Sequence, residues 1–255
     1  MSRILAAIDD SETTPTVLAN ATALAHATGS VVEALHVSED VDGSMRAAAE
    51  AVGASMHEVS GEVVEQSARA ASWPDVRAVV VGTRRHLDPI RPLGHVASAL
   101  LTQVAPPLVV VPPTASAIVR LRRMLVPLDG TVSTADRARI AIDLATSAGI
   151  EAVILHVCAE DEMPMFSDQP QHETRAFAHE FIEHYVPAAP VSLELRVGPP
   201  ADEILAAAEA LEVDLIAIGW RQILEPGHAR VVKELLAHSH VPLLLLPIGP
   251  ADGAE

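Results

Sequence analysis

RILAAIDDSETTPTVLANATALAHATGSVVEALHV, at Arg3–Val37, and RMLVPLDGTVSTADRARIAIDLATSAGIEAVILHV, at Arg123–Val157, align without a gap. Arg3 pairs with Arg123, Leu5 with Leu125, Asp9 with Asp129, Gly29 with Gly149, and His36-Val37 with His156-Val157. Each copy opens on an apolar run that ends in aspartate. Hydroxyl residues follow, then a helical pattern closed by glycine, then a second apolar run. Strand, helix and strand in that order, with apolar runs of strand length, predict parallel strands covered by helices. A register of this length marks a duplicated unit. Its period, about 120 residues, is far longer than the unit of a solenoid.

Outward from the first copy, a short helix is expected over 40–53, a weak strand over Ala54–Val59, a helix over Glu62–Ala71 and a strong strand over Val76–Val81. The later parts of the two copies pair with altered spacing: Gly61 with Gly198, Gly82 with Gly219, Pro107 with Pro242. The linker PPTASAIVRLR, at Pro112–Arg122, separates units assigned to residues 1–113 and 120–249. The second copy carries a longer excursion, Glu160–Pro190, with an extended helix near Gln171–Tyr185.

At 49% hydrophobic, mostly Ala, Val and Leu, the chain can bury a full core. Its formal net charge is −17. Residues 1–119 carry 7 basic and 13 acidic side chains, residues 120–255 carry 10 and 21, so the halves stand at −6 and −11. That balance opposes nucleic acid and anionic membrane surfaces as partners. Cys158 is the single cysteine, so no intrachain disulfide is available, and it reads as a small buried thiol. The N-terminus reaches Asp9-Asp10 before a signal peptide could develop, and no apolar run approaches the roughly 18 residues of a bilayer span. A cytoplasmic location is the expectation.

Against this acidic background, Arg84, Arg85, His86 and Arg91 form a basic loop between the strand ending at Gly82 and the helix beginning at Gly94-His95. A strand-loop-helix junction of that kind suits a phosphate, because helix N-terminal amides favour anions. A solvated charge run is the plainer alternative. A P-loop is excluded, since the only lysine, Lys233, lies inside a helical pattern. His179–His184 reads HEFIEH, with Glu183 where a zinc HExxH motif would place its second histidine; a polar helix face is the preferred reading, and no metal site is assigned. No serine–histidine–carboxylate set or paired carboxylates can be picked out, so the chain is not read as an enzyme.

Each half resembles a universal stress protein domain. The marks are a first strand ending in Ile-Asp or Leu-Asp, a second ending in His-Val, and a fourth ending in glycine. A helix of the form VASALLTQVAPP or VVKELLAHSHVP follows, then a last apolar strand after proline. The resemblance implies an α/β fold of two tandem five-stranded parallel sheets, Rossmann-like. It also implies an intramolecular pseudo-dimer in which PLVVVPP and PLLLLPI pair antiparallel. Further homodimerisation and an unidentified protein partner are compatible with it.

Some members of that family bind ATP through a pattern of Gly, two residues, Gly, nine residues, Gly, then Ser or Thr. In the first half Gly82 matches, Arg85 holds the second glycine position, Gly94 comes one residue early, and His95 replaces the hydroxyl. Asp9, which in binders meets the adenosine end, is kept, as is Val37. The resemblance therefore implies an adenine-nucleotide frame built on Asp9, Val37, Gly82 and Gly94, its phosphate lining shifted to Arg84, Arg85 and His95. In the second half Pro127, Asp129, Val157 and Gly219 are kept, Gln222 takes the second glycine position, and Ala229-Arg230 stands for Gly-Ser. Trp220 is expected to fill that pocket or pack on its rim. The leading expectation is a stress-response binding protein with degenerate nucleotide pockets. ATP binding in the first half is its rival, and no cofactor is certain.

Overall fold

The computed structural model describes residues 1–37, 43–83, 93–158, 170–186, 191–225 and 227–248, with backbone alone at 43–44 and 170–176. The first half runs β1 (Arg3–Ala7), α1 (Thr14–Thr28), β2 (Val31–Val37), α2 (Gly43–Ala51), β3 (Ser55–Val59), α3 (Val63–Ala71), β4 (Val76–Gly82), α4 (His95–Gln103) and β5 (Leu108–Val111). The second repeats it as β6 (Arg123–Pro127), α5 (Val132–Ser147), β7 (Glu151–Cys158), α6 (Pro170–Tyr185), β8 (Ser192–Val197), α7 (Pro200–Ala210), β9 (Leu215–Trp220), α8 (Arg230–His238) and β10 (Leu243–Pro247). The expected elements are present, with ends moved by a few residues.

All ten strands join one sheet in the order β3-β2-β1-β4-β5-β10-β9-β6-β7-β8. Pairing is parallel within each half, as expected for strands whose intervening helices carry the chain back across the sheet. The exception is the seam. There β5 and β10 run antiparallel, with Leu108 opposite Leu245, Val109 opposite Leu244 and Val110 opposite Leu243. These six side chains are buried. The pairing removes two apolar sheet edges that would otherwise recruit foreign strands.

Helices cover both faces, which is why the strands read as continuous apolar runs. Side chains of α1, α2, α5 and α6 share one core with Ile4, Ala6, Met124 and Ile154. Side chains of α3, α4, α7 and α8 share the other with Leu5, Val79, Leu125 and Ile216. The paired arginines repeat a task at the N-terminal edge of the sheet. Arg3 ion-pairs with Glu33 and Asp75, and Arg123 with Glu151 at 2.8 Å. Gly61 and Gly198, matched in sequence, both have positive φ, 138° and 148°. A Cβ there would come within 2.9 Å of Gln66 or Glu203, so glycine is required twice for the same entry into α3 and α7.

Candidate functional site

In each half the chain order reverses at the first strand, β1 beside β4 and β6 beside β9. A parallel sheet opens a crevice at such a point, beyond the carboxyl ends of the strands. Both crevices are present.

The first cleft, about 620 Å3, runs from Ala7–Ser11 after β1 to Val81-Gly82 at the end of β4 and Gly94–Ala97 at the start of α4. Asp9, Val37, Gly82, Gly94 and His95 all line it, so the structure brings together every described member of the candidate set. Arg84, Arg85 and Arg91 lie outside the described residues. The Asp9 carboxylate accepts the Ser11 backbone N–H at 3.1 Å and so fixes the turn into α1. His36 lines the cleft from β2, and its Nδ1 lies 3.2 Å from the Ile8 carbonyl. A carbonyl only accepts, so Nδ1 carries a proton. His36 Nε2 is buried and has no hydrogen-bond partner among the described residues. His36 and His156, matched at the ends of the second strands, both line clefts.

Gly82 is a glycine for packing. A Cβ there would meet Thr13 Oγ1 at 2.8 Å and a Val17 methyl at 3.0 Å, so α1 occupies the space beside it. Among the described residues nothing lies within 4 Å of a Cβ at Gly94, and its φ is −61°. Beside this cleft Glu62 caps α3, accepting Glu65 N–H at 2.7 Å, and these backbone hydrogen bonds hold its carboxyl below the ordinary range.

The second cleft is larger, about 920 Å3, and differently walled. Asp129 holds its turn by accepting Thr131 N–H at 2.9 Å and the Thr134 hydroxyl. Phe177, Phe181 and Tyr185 line it from α6, spaced four residues apart on one helix face. His156 lies against Phe181 with centroids 4.6 Å apart, and Phe181 lies 4.7 Å from Tyr185. Tyr185 donates its hydroxyl proton to the Gly130 carbonyl. The aromatic wall was missed in the sequence, although it left a signal. The chain has 3 Phe and 1 Tyr, and two of those Phe and the Tyr fall at helical spacing in the excursion unique to the second copy.

The end of β9 corrects one expectation. Trp220 is 3% exposed and packs into the core shared with α7 and α8; it neither fills the cleft nor lines it. Gln222, at the second glycine position, turns away from the cleft. With φ 58° it donates Nε2–H bonds to the carbonyls of Leu101 and Val104, at 3.1 and 2.8 Å, where α4 of the other half ends. Ala229, where the motif has glycine, keeps a glycine-like φ of 51° as it leads into α8.

His179 and Glu183 pair with each other at 3.3 Å on an exposed helix face. Among the described residues no cluster of three or more His, Cys, Asp or Glu is placed to hold a metal ion. Cys158 is buried at the end of β7 and lines the second cleft. No described helix is long and apolar enough to cross a membrane.

The model of the universal stress protein family matches residues 1–54 and 120–247. Solved structures match almost the whole chain. A universal stress protein from Archaeoglobus fulgidus DSM 4304 is 18% identical, with a TM-score of 0.66, covering 97% of this chain and 98% of that one. A functionally unknown protein from Pseudomonas aeruginosa PAO1 is 16% identical, with a TM-score of 0.67, covering 99% and 94%. A universal stress protein from Archaeoglobus fulgidus in complex with dAMP, 18% identical, covers 49% of this chain and 96% of its own, with a TM-score of 0.36. No curated protein matches the sequence.

Proposed function

The chain belongs to the universal stress protein family, and from that premise we propose that it acts by binding, without turnover, in the cellular response to stress. Its first-half cleft takes an adenine nucleotide as the regulatory ligand, and occupancy alters contacts with a protein partner. The observation that carries this reading is the open path from Asp9 to Gly82, Gly94 and His95. Arg84, Arg85 and Arg91 supply the cations for the phosphates, as side chains able to form two parallel hydrogen bonds to each group.

A second reading keeps the binding role and removes the nucleotide. Gly82 serves the packing of α1, and in the second half Gln222, at the second glycine position, serves the contact between halves. On this reading the chain is an interaction scaffold with degenerate pockets. Calorimetric titration with ATP, ADP and cyclic AMP separates the two, with Asp9→Ala and Arg84→Ala/Arg85→Ala alongside. The nucleotide reading expects measurable heat that both variants diminish. Silence with all three nucleotides up to millimolar concentration would sink it and leave the scaffold. Binding that survives the arginine changes would sink the phosphate assignment.

A further inference from the structure

The second cleft has a chemistry of its own, independent of whether the first binds a nucleotide. One wall is a run of ring faces. Phe177 and Phe181 stand 5.9 Å apart, and His156 lies 4.6 Å from Phe181 and 6.1 Å from Phe177. Phe177 remains 39% exposed while Phe181 is 7% exposed, so the ladder runs from a buried floor to an open lip. Gly130, with φ 79°, faces these rings. A Cβ there would touch Tyr185, His156 and Phe181 at 3.6–3.9 Å, and the glycine keeps that space clear. The corresponding residue in the first half is Asp10. His156 lines the cleft, and its Nδ1 donates to the Leu128 carbonyl at 2.8 Å, so in the neutral ring Nε2 is the nitrogen able to accept.

The same cleft is poorly equipped for a polyphosphate. Asp129 and Glu180 line it, and both oppose added negative charge. Gln222, the residue at the second glycine position, is engaged with the other half. Arg230 lies at the rim, 89% exposed in its side chain and 3.9 Å from Glu234.

We propose that the second cleft binds a planar aromatic molecule without a phosphate, its ring laid on Phe177, Phe181 and His156, its N–H or O–H donated to His156 Nε2. Ring-on-ring contact supplies the affinity, since offset or edge-on aromatic pairs add to area burial. The histidine acceptor supplies the selectivity.

The test is a calorimetric titration of the full chain with indole and with benzofuran, which replaces the indole N–H by an oxygen. Indole should bind, and benzofuran should bind about two- to tenfold more weakly, the equivalent of one hydrogen bond. Phe177→Ala should weaken indole about two- to tenfold, the equivalent of one aromatic pair, and Phe177 is exposed enough for the fold to survive its loss. His156→Asn keeps a donor for the Leu128 carbonyl and removes the Nε2 acceptor; it should reduce the preference for indole over benzofuran. No heat with indole to millimolar concentration would overturn the proposal. So would indole affinity unchanged in Phe177→Ala, equal binding of indole and benzofuran, or displacement of indole by ATP from a Phe177-dependent site. Failure of ATP to bind anywhere in the chain would end the nucleotide reading of the first cleft and leave this one standing.

Discussion

Replacing Gln222 by alanine removes the two hydrogen bonds that the second half donates to the end of α4. The last carbonyls of a helix have no partner within it, so Leu101 and Val104 depend on groups from outside. At about 0.5–1.5 kcal/mol for each bond, Gln222→Ala should cost about 1–3 kcal/mol of unfolding free energy. Glycine at the same position tests the backbone separately. Gln222 has φ 58°, a region that costs a residue with a Cβ about 1–2 kcal/mol. Gln222→Gly loses the same two bonds but relieves that strain, so it should be more stable than Gln222→Ala by about 1 kcal/mol. Equilibrium unfolding in guanidinium, followed by circular dichroism and by the fluorescence of buried Trp220, measures both. Gln222→Ala within about 0.5 kcal/mol of the parent would refute the clasp. Gln222→Gly no more stable than Gln222→Ala would refute the strain argument.

Leu244 sits opposite Val109 at the antiparallel seam and is 3% exposed. Leu244→Ala should cost about 2–5 kcal/mol in the same assay, and a loss below about 1 kcal/mol would mean that the seam is not a packed core. Glu62 gives a pH-dependent prediction. Its folded carboxyl is held below its ordinary 4.5, so its contribution is present above that value and is lost as pH falls through the lower folded value. Stability should therefore fall less steeply below pH 4.5 in Glu62→Gln, which keeps an acceptor for Glu65 N–H without the titration. Parallel acid-unfolding curves for the two proteins would show that the cap does not contribute.

Most of the fold was legible because it rests on local signals. The apolar runs of β1, β2 and β4 have strand length, the first helix of each copy closes at Gly29 or Gly149, and the second copy repeats the same order. The register Arg3–Val37 against Arg123–Val157 was informative for a physical reason. These matched residues do one job twice: Arg3 and Arg123 bind carboxylates at the N-terminal ends of β1 and β6, and Asp9 and Asp129 hold the turn into the next helix. The candidate site was half legible. Asp9, Val37, Gly82, Gly94 and His95 do converge on one cleft, since the switch point of a parallel sheet is a consequence of strand order. What each glycine does there was not legible, because the reason lies in residues far away in the chain, such as Thr13 and Val17 beside Gly82.

The sequence by itself determined the duplicated α/β architecture and the place where each half would open; the antiparallel closure of two apolar edges was implied only by the family resemblance. Periodicity, turn chemistry and repetition are properties of neighbouring residues, and they survive in one dimension. Only the tertiary structure decided that the two clefts are unlike. The ladder on α6 becomes a wall because β7 brings His156 against it, and Gln222 becomes a clasp because the seam brings α4 within its reach. Contacts between elements far apart in the chain set both, and no local pattern encodes them.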